Sequence, residues 1–340
     1  MANPSNETHR PCLAVVPGDP SGVGPEMLAR LLAREANRLA ADLLLIADPV
    51  VWRDAERLAG VSVPLVRIDD VGSLQCAPGR VHWLVQHSLG AAAPVRGQST
   101  ADSGRAALAA LTAAADAVLA GVAQGIVFAP LNKHSLRLAG MTHEDELRYM
   151  AEHFGVTGAV CEFNITGSLW TSRVSSHVPL EEVAALVTVP AVKQAVTILH
   201  AALVRSGLAA PRIAVSGLNP HAGDSGSIGR QEIEIIEPAV QALRAGGIDA
   251  RGPFSPDTVF LAAKRGDFDA VVSMYHDQGQ IAMKLMGFES GVTLHGGLPV
   301  PVATPASGSA FDIAGRGVAR IDGLQAAFDL TVRMAGAARS

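Results

Sequence analysis

The stretch from Cys12 to Asp48, CLAVVPGDPSGVGPEMLARLLAREANRLAADLLLIAD, decides the fold. It opens on an unbroken apolar run, CLAVV, and closes on another, LLLIA. Runs that are apolar at every residue, rather than at every second one, mark strands buried on both faces, as in parallel sheets. Between them, GPEMLARLLAREANRLA repeats its apolar residues at helical spacing. The turn GDPSGVGP supplies glycines for positive φ, and Pro25 suits the first turn of a helix. Its N–H groups suggest an anion cradle, although it is neither a Walker loop nor GxGxxG. The plainer reading is a tight turn with Asp19 or Ser21 as helix cap.

The same alternation continues outward. Strand-like runs are GIVFAP from Gly125, RIAVSGLNP from Arg212 and DAVVSMYHD from Asp269, and SGRAALAALTAAADAVLAG from Ser103 reads as a helix. Strands alternating with helices predict an α/β protein with a mostly parallel sheet, whose ligands gather at the strand ends. The segment Cys161–His177 departs from this rhythm and predicts an antiparallel excursion in the second half. At roughly 150 residues per domain, 340 residues suggest two domains.

Composition narrows the class. With 49% hydrophobic and 17% charged residues, the chain is neither disordered, collagenous nor a disulfide scaffold. The net charge of −5 comes with no basic block, so no nucleic-acid partner is expected. No apolar stretch approaches the ~20 residues of a membrane span, and the polar N-terminus MANPSNETHRP lacks a signal peptide's apolar core. The three cysteines, Cys12, Cys76 and Cys161, are odd in number and form no CxxC pair. A soluble protein of the reducing cytoplasm is the expectation.

Histidines stand out at strand ends. His177 follows Ser175-Ser176, His221 lies in GLNPHAG and His276 in MYHDQG. In a parallel sheet such positions converge, and three imidazoles with an open fourth position hold a catalytic divalent ion. Three separate turn histidines would give the same pattern. Thr142-His143-Glu144-Asp145 offers His143 for a substrate or a proton relay. It also fits a helix start, with Thr142 capping and Asp145 at the third position. Lys133 reads as a partner for a carboxylate or as a solvated lysine, and Asp257 as a turn or cap residue. Lys284 falls eight residues after His276, about two turns on if the segment is helical. The small residues of SGSAFDIAGRG, from Ser307 to Gly317, let a ligand approach the backbone or form a surface loop.

Taken together, PGDPSGVGPE, APLNKHSLRLAG, GLNPHAG, GPFSPDT, MYHDQG and GSAFDIAGRG resemble the PdxA family, in the family's order, from about Val15 to Val318. That family is named for 4-hydroxythreonine-4-phosphate dehydrogenase of pyridoxal phosphate biosynthesis. The resemblance implies an α/β, two-domain fold of the isocitrate and isopropylmalate dehydrogenase type, with a cleft between the domains. It puts a cofactor-side domain at 1–130 with 286–340, and a substrate, metal and dimerisation domain at 131–285. It implies a homodimer and a divalent metal (Zn, Mg, Mn or Co) on His177, His221 and His276. It further implies oxidation by NAD or NADP of a secondary alcohol β to a carboxylate, with decarboxylation. Lys133 and Asp257 become candidates for proton handling or orientation. His143, Glu144, Lys284, Thr293 and Val302 occupy substrate-contact positions, and Ser307, Gly308, Ala310, Asp312 and Gly315 the cofactor loop.

The chain departs from the family at informative places. Glu144 stands where the family has Thr, Thr293 where it has Asn, Val302 where it has Arg, and Ala306-Ser307 where it has Asp-His. Losing an Arg and gaining an acid favours a substrate without phosphate, because phosphate is bound best by bidentate cations. The substrate classes in view are therefore a phosphorylated hydroxythreonine, 4-phosphoerythronate or 4-phosphothreonate, a non-phosphorylated sugar acid and a ring dihydrodiol carboxylate. Two other classes are a phosphate acyltransferase, which needs no histidine set, and a metal-binding protein without catalysis.

Overall fold

A computed structural model describes residues 10–75, 78–89 and 95–337. Cys76 and most of the polar N-terminus lie outside the described residues. The chain divides into two compact units, Met1–Gly155 with Pro299–Ser340, and Val156–Leu298.

The first unit carries six parallel strands: β1 (Cys12–Val16), β2 (Asp42–Ala47), β3 (Leu65–Ile68), β4 (Val81–Val85), β5 (Gly125–Phe128) and, from the C-terminal segment, β12 (Val302–Pro305). Their order is β3-β4-β2-β1-β5-β12. Every residue of β1 and β2 is buried, as the unbroken apolar runs require. The helix Gly24–Ala33 covers one face through Leu28, Leu31 and Leu32, which pack with Trp52 and Phe328. Each such buried side chain contributes about 1.5–3 kcal/mol.

The second unit holds β6 (Cys161–Thr166), β7 (Leu169–Arg173), β8 (Ile213–Ser216), β9 (Ala250–Phe254), β10 (Ala270–Ser273) and β11 (Val292–Gly296). The order is β11-β6-β7-β10-β8-β9. Strands β7, β10, β8 and β9 are parallel, while β6 runs antiparallel to both β7 and β11. The expected antiparallel excursion is therefore present. Its core packs Val259, Phe260, Val271 and Met283 around Leu169.

Between the units the chain crosses at 155/156 and 298/299, not near residues 130 and 285. Helices Lys133–Leu138 and Glu146–His153 stay with the first unit because the helix Ala101–Leu119 packs against them. Gly104 is the contact point: a Cβ there would lie 1.9 Å from the Ser135 carbonyl oxygen. Strand β11 stays with the second unit through its five-residue pairing with β6.

The turn after β1 is a clasp, and the reading of Asp19 or Ser21 as its helix cap is corrected. Its N–H groups are spent on protein acceptors: Asp19 donates to Pro130 O (2.9 Å), Ser21 to Asp19 Oδ1 (2.8 Å), Gly22 to Asp19 O (3.0 Å) and Val23 to Ser309 O (3.0 Å). These four are not available to an anion. The helix N-cap is Val23, not Asp19 or Ser21. Gly18 adopts φ 78°, and a Cβ there would meet the carbonyl oxygens of Ala129 and Pro130 at 2.4 Å.

Candidate functional site

In the second unit the three histidines stand just beyond the C-terminal ends of β7, β8 and β10, which are neighbours in the order β7-β10-β8. Strand direction and adjacency, neither visible in the sequence, bring them to one edge of the sheet. His177 and His276 are the close pair, with ring centroids 5.6 Å apart. Main-chain contacts produce this approach. Val174 donates to Ser273 O (2.9 Å) and Ser175 to Met274 O (3.1 Å), so the two chains leave the sheet side by side. The Ser175 hydroxyl adds a bond to Met274 O at 2.9 Å.

His276 opens the helix His276–Gly287, and its Nδ1 lies 2.7 Å from Asp277 Oδ1. A carboxylate on one ring nitrogen fixes the tautomer and leaves Nε2 to act as a ligand. Lys284 is exposed on the same helix, two turns along, so that segment is helical as Lys284's spacing requires.

His221 occupies left-handed backbone (φ 54°) within a run that includes Ala222, Asp224 and Ser225. Such conformations persist only where surroundings impose them. Buried Glu232 anchors the start of this loop, accepting the N–H groups of Leu218 and Asn219 (both 2.8 Å) and the Asn219 amide (2.9 Å). Asp257 faces the same loop. The Ser255 hydroxyl donates to its Oδ1 at 2.7 Å. With nearby amide N–H groups and His221, that bond holds the Asp257 carboxyl below its ordinary range. Asp257 is therefore ionised near neutrality and suits orientation or proton acceptance rather than acid catalysis.

A pocket of about 470 Å³ opens beside the histidine pair, walled by Ser175, Ser176, Val178, Val183, Tyr275 and Asp277. Among the described residues, no lysine or arginine lines it. Thr293 lies on β11, half-buried, and accepts from the Asn164 amide at 3.5 Å.

The remaining candidates lie in the first unit. Lys133 is exposed at the start of the helix Lys133–Leu138, whose N-cap is Asn132. His143 Nε2 lies 2.7 Å from Glu152 Oε2, and its ring meets Tyr149 edge-on at 5.5 Å. Glu144 is exposed. Asp145, not Thr142, caps the helix Glu146–His153, accepting from Arg148 N–H at 2.9 Å. Both residues fitted the spacing of a cap. Val302 is fully buried in β12, in register with Ile126, which leaves its side chain no surface to offer a ligand.

The loop from Ser307 to Gly317 is anchored by Ser309, whose carbonyl accepts from Val23 (3.0 Å) and whose hydroxyl accepts from the Asn132 amide (3.4 Å). Ala310 takes φ 41°. Gly315 lies against Arg96, where a Cβ would come within 2.6 Å of the arginine Cδ. Gly308 and Asp312 face solvent and Ser307 is half-buried, so the rim of the loop is accessible. Beneath it, hydroxyls link Ser21, Ser103 and Thr100 at 2.5 and 2.8 Å. That support went unread, because Ser21 and the helix start at Thr100 and Ser103 lie far apart in the sequence.

Sequence reading also missed Arg173, Glu162, Asn164 and Ser176, which surround the approach to His177. The available signal was a charged residue ending the otherwise uncharged strand LWTSR.

Comparison with known proteins gives the family. Residues 40–331 match the family model described as pyridoxal phosphate biosynthetic protein PdxA. A Pseudomonas aeruginosa protein with the provisional name 4-hydroxythreonine-4-phosphate dehydrogenase 2 is 50% identical over 335 residues, covering 97% of this chain and 98% of its own. The crystal structure of 4-hydroxythreonine-4-phosphate dehydrogenase from Klebsiella pneumoniae superposes with a TM-score of 0.82 at 32% identity, covering 96% of this chain and 99% of its own. A terephthalate 1,2-cis-dihydrodiol dehydrogenase from Burkholderia xenovorans gives 0.68 at 29% identity, covering 95% and 98%.

Proposed function

The chain belongs to the PdxA family, and from that premise we propose that it oxidises the secondary alcohol of a β-hydroxy acid, with loss of CO2 from the β-keto acid formed. As a member of the family it is an oxidoreductase, an NAD(P)-linked dehydrogenase acting on a CH–OH group of a small molecule, and the activity calls for a divalent metal. The single observation that carries the reading is the placement of His177, His221 and His276 at the ends of three adjacent parallel strands. The chemistry of the donor set suits such an ion. It is all imidazole, two rings lie 5.6 Å apart, and one of them has a carboxylate on its Nδ1. Imidazole donors favour zinc over magnesium. When bound, the ion supplies Lewis acidity that lowers the barrier to alkoxide formation.

The chain's own residues do the rest. Lys284 binds the substrate carboxylate, and Thr293 orients a hydroxyl. Asp257, ionised, accepts or directs a proton. His143 contacts the substrate with its Nε2 engaged by Glu152. Lys133 and Glu144 are further contacts of the first unit. The rim from Ser307 through Gly308, Ala310, Asp312 and Gly315 receives NAD or NADP, to which the substrate's hydride passes as the alcohol becomes a ketone. The working unit is a cytoplasmic homodimer without nucleic-acid or membrane partners. Among the described residues no single helix is long and apolar enough to cross a membrane.

The relatives' names bring phosphorylated hydroxythreonine forward as substrate, with 4-phosphoerythronate and 4-phosphothreonate beside it. A second reading, an acid without phosphate such as a sugar acid or a ring dihydrodiol carboxylate, is favoured by Val302, which is uncharged and fully buried where a phosphate would call for a bidentate cation. The test is NADH or NADPH formation by zinc-loaded protein against both groups of acids. Turnover of phosphorylated acids alone rejects the second reading. No turnover by either group, with metal bound, rejects the dehydrogenase assignment for these substrates.

A further inference from the structure

We infer that Arg173 is a positioning residue that sets the spacing of His177 and His276, an inference resting on the reading of these histidines as ligands of one cation. Arg173 ends β7 with its side chain only 7% exposed. Each of its nitrogens has a partner: Nε donates to Ser176 Oγ (2.5 Å), Nη1 to Asn164 Oδ1 (2.9 Å) and Nη2 to Glu162 Oε2 (2.9 Å). Glu162 and Asn164 belong to β6, the antiparallel neighbour of β7. Ser176 immediately precedes His177.

Asn164 is held a second time. Gln280 Nε2 donates to the same Oδ1 at 2.5 Å, and Gln280 lies about one turn after His276 on its helix. A side-chain path therefore runs Ser176–Arg173–Asn164–Gln280, from the loop of one histidine to the helix of the other. The main-chain zipper beside β10 reaches Ser175. The Arg173–Ser176 bond carries the constraint one residue further, to the peptide that bears His177.

A bare ion pair would neutralise Glu162 and stop there. Arg173 spends its rigid planar fork on three acceptors at once, which a lysine ammonium at the end of a flexible stem does not reproduce. Groups that orient metal-binding histidines change metal affinity by about 10–100-fold when lost.

The test uses the full-length chain loaded with Co2+. Release to a chelator and the visible spectrum of the cobalt site are measured for the parent, Arg173→Lys and the double variant Glu162→Gln/Arg173→Met. The double variant removes both charges, so no carboxylate is left buried and unpaired. Both variants are expected to fold, to release Co2+ about 10–100-fold faster and to show an altered spectrum. Parent-like release and spectrum in the folded double variant overturn the proposal. His177→Ala separates the two layers. If it retains Co2+ as the parent does, the metal reading fails, and the metal-free crystal structure of the double variant then decides. Rings still 5.6 Å apart overturn the role of Arg173, and rings displaced sustain it.

Discussion

The rings of His177 and His276 lie 5.6 Å apart although 99 residues separate them, because β7 and β10 are parallel neighbours whose chains stay paired for two residues past the sheet. A site built this way inherits its geometry from the pairing of the sheet.

Replacing His177 by Ala is the direct test of that site. An ion acting as a Lewis acid supplies several kcal/mol of transition-state stabilisation. Losing about 4 kcal/mol corresponds to about a thousandfold drop in kcat/KM. Metal analysis of the purified variant should show the ion missing, and circular dichroism should show the fold intact. Full metal content with full activity rejects the assignment of His177.

Lys284 carries a separable expectation. A hydrogen bond to a charged group contributes about 1.5–3 kcal/mol, so Lys284→Ala should weaken substrate binding about 10- to 100-fold. The effect belongs in KM, with kcat changed little, if the lysine grips the carboxylate equally in ground and transition states. A variant with unaltered KM removes Lys284 from the substrate contacts.

Asp19 offers a pH-dependent readout of stability. Its side chain is fully buried with Oδ2 unpartnered, and burial raises its pKa from the ordinary 3.8, against opposing hydrogen bonds from Ser135 and Ser21. The folded state thus holds its proton where the unfolded state has lost it. This contribution to stability is complete below about pH 3.8 and is lost as pH rises through the higher native pKa. Asp19→Asn cannot ionise. The melting temperature of the variant relative to the parent should therefore climb as pH rises from 4 and level off above the native pKa. A difference independent of pH would show that the carboxyl does not titrate abnormally.

The fold was legible where burial leaves a period in the sequence. CLAVV and DLLLIA are apolar throughout because β1 and β2 are covered on both faces, and their parallel pairing follows. The histidines were legible because each follows a strand and meets Gly or Pro. Their strand order was not, since sequence spacing says nothing of which strands lie side by side. The Arg173 network was unreadable for a related reason. Its members at 162, 164, 173, 176 and 280 meet only through the antiparallel turn of β6 and the helix after β10. The cap at Asp145 was misassigned because Thr142 and Asp145 both suit that role, and only backbone geometry chooses.

The clasp after β1 gives the last expectation. Gly18 sits at φ 78°, and a Cβ there would lie 2.4 Å from two carbonyl oxygens of the chain leaving β5. Left-handed backbone costs a residue with a Cβ about 1–2 kcal/mol, and overpacking against main chain adds about 1–3 kcal/mol. Gly18→Ala should therefore lose about 2–5 kcal/mol in urea unfolding. The clasp also ties the first helix to the loop from Ser307 to Gly317, through Val23 N–H and Ser309 O. If that loop receives the cofactor, Gly18→Ala should weaken NAD or NADP binding while the cobalt spectrum of the histidine site stays unchanged. A variant as stable as the parent would show that β1 and β5 separate at their ends more easily than the contact allows.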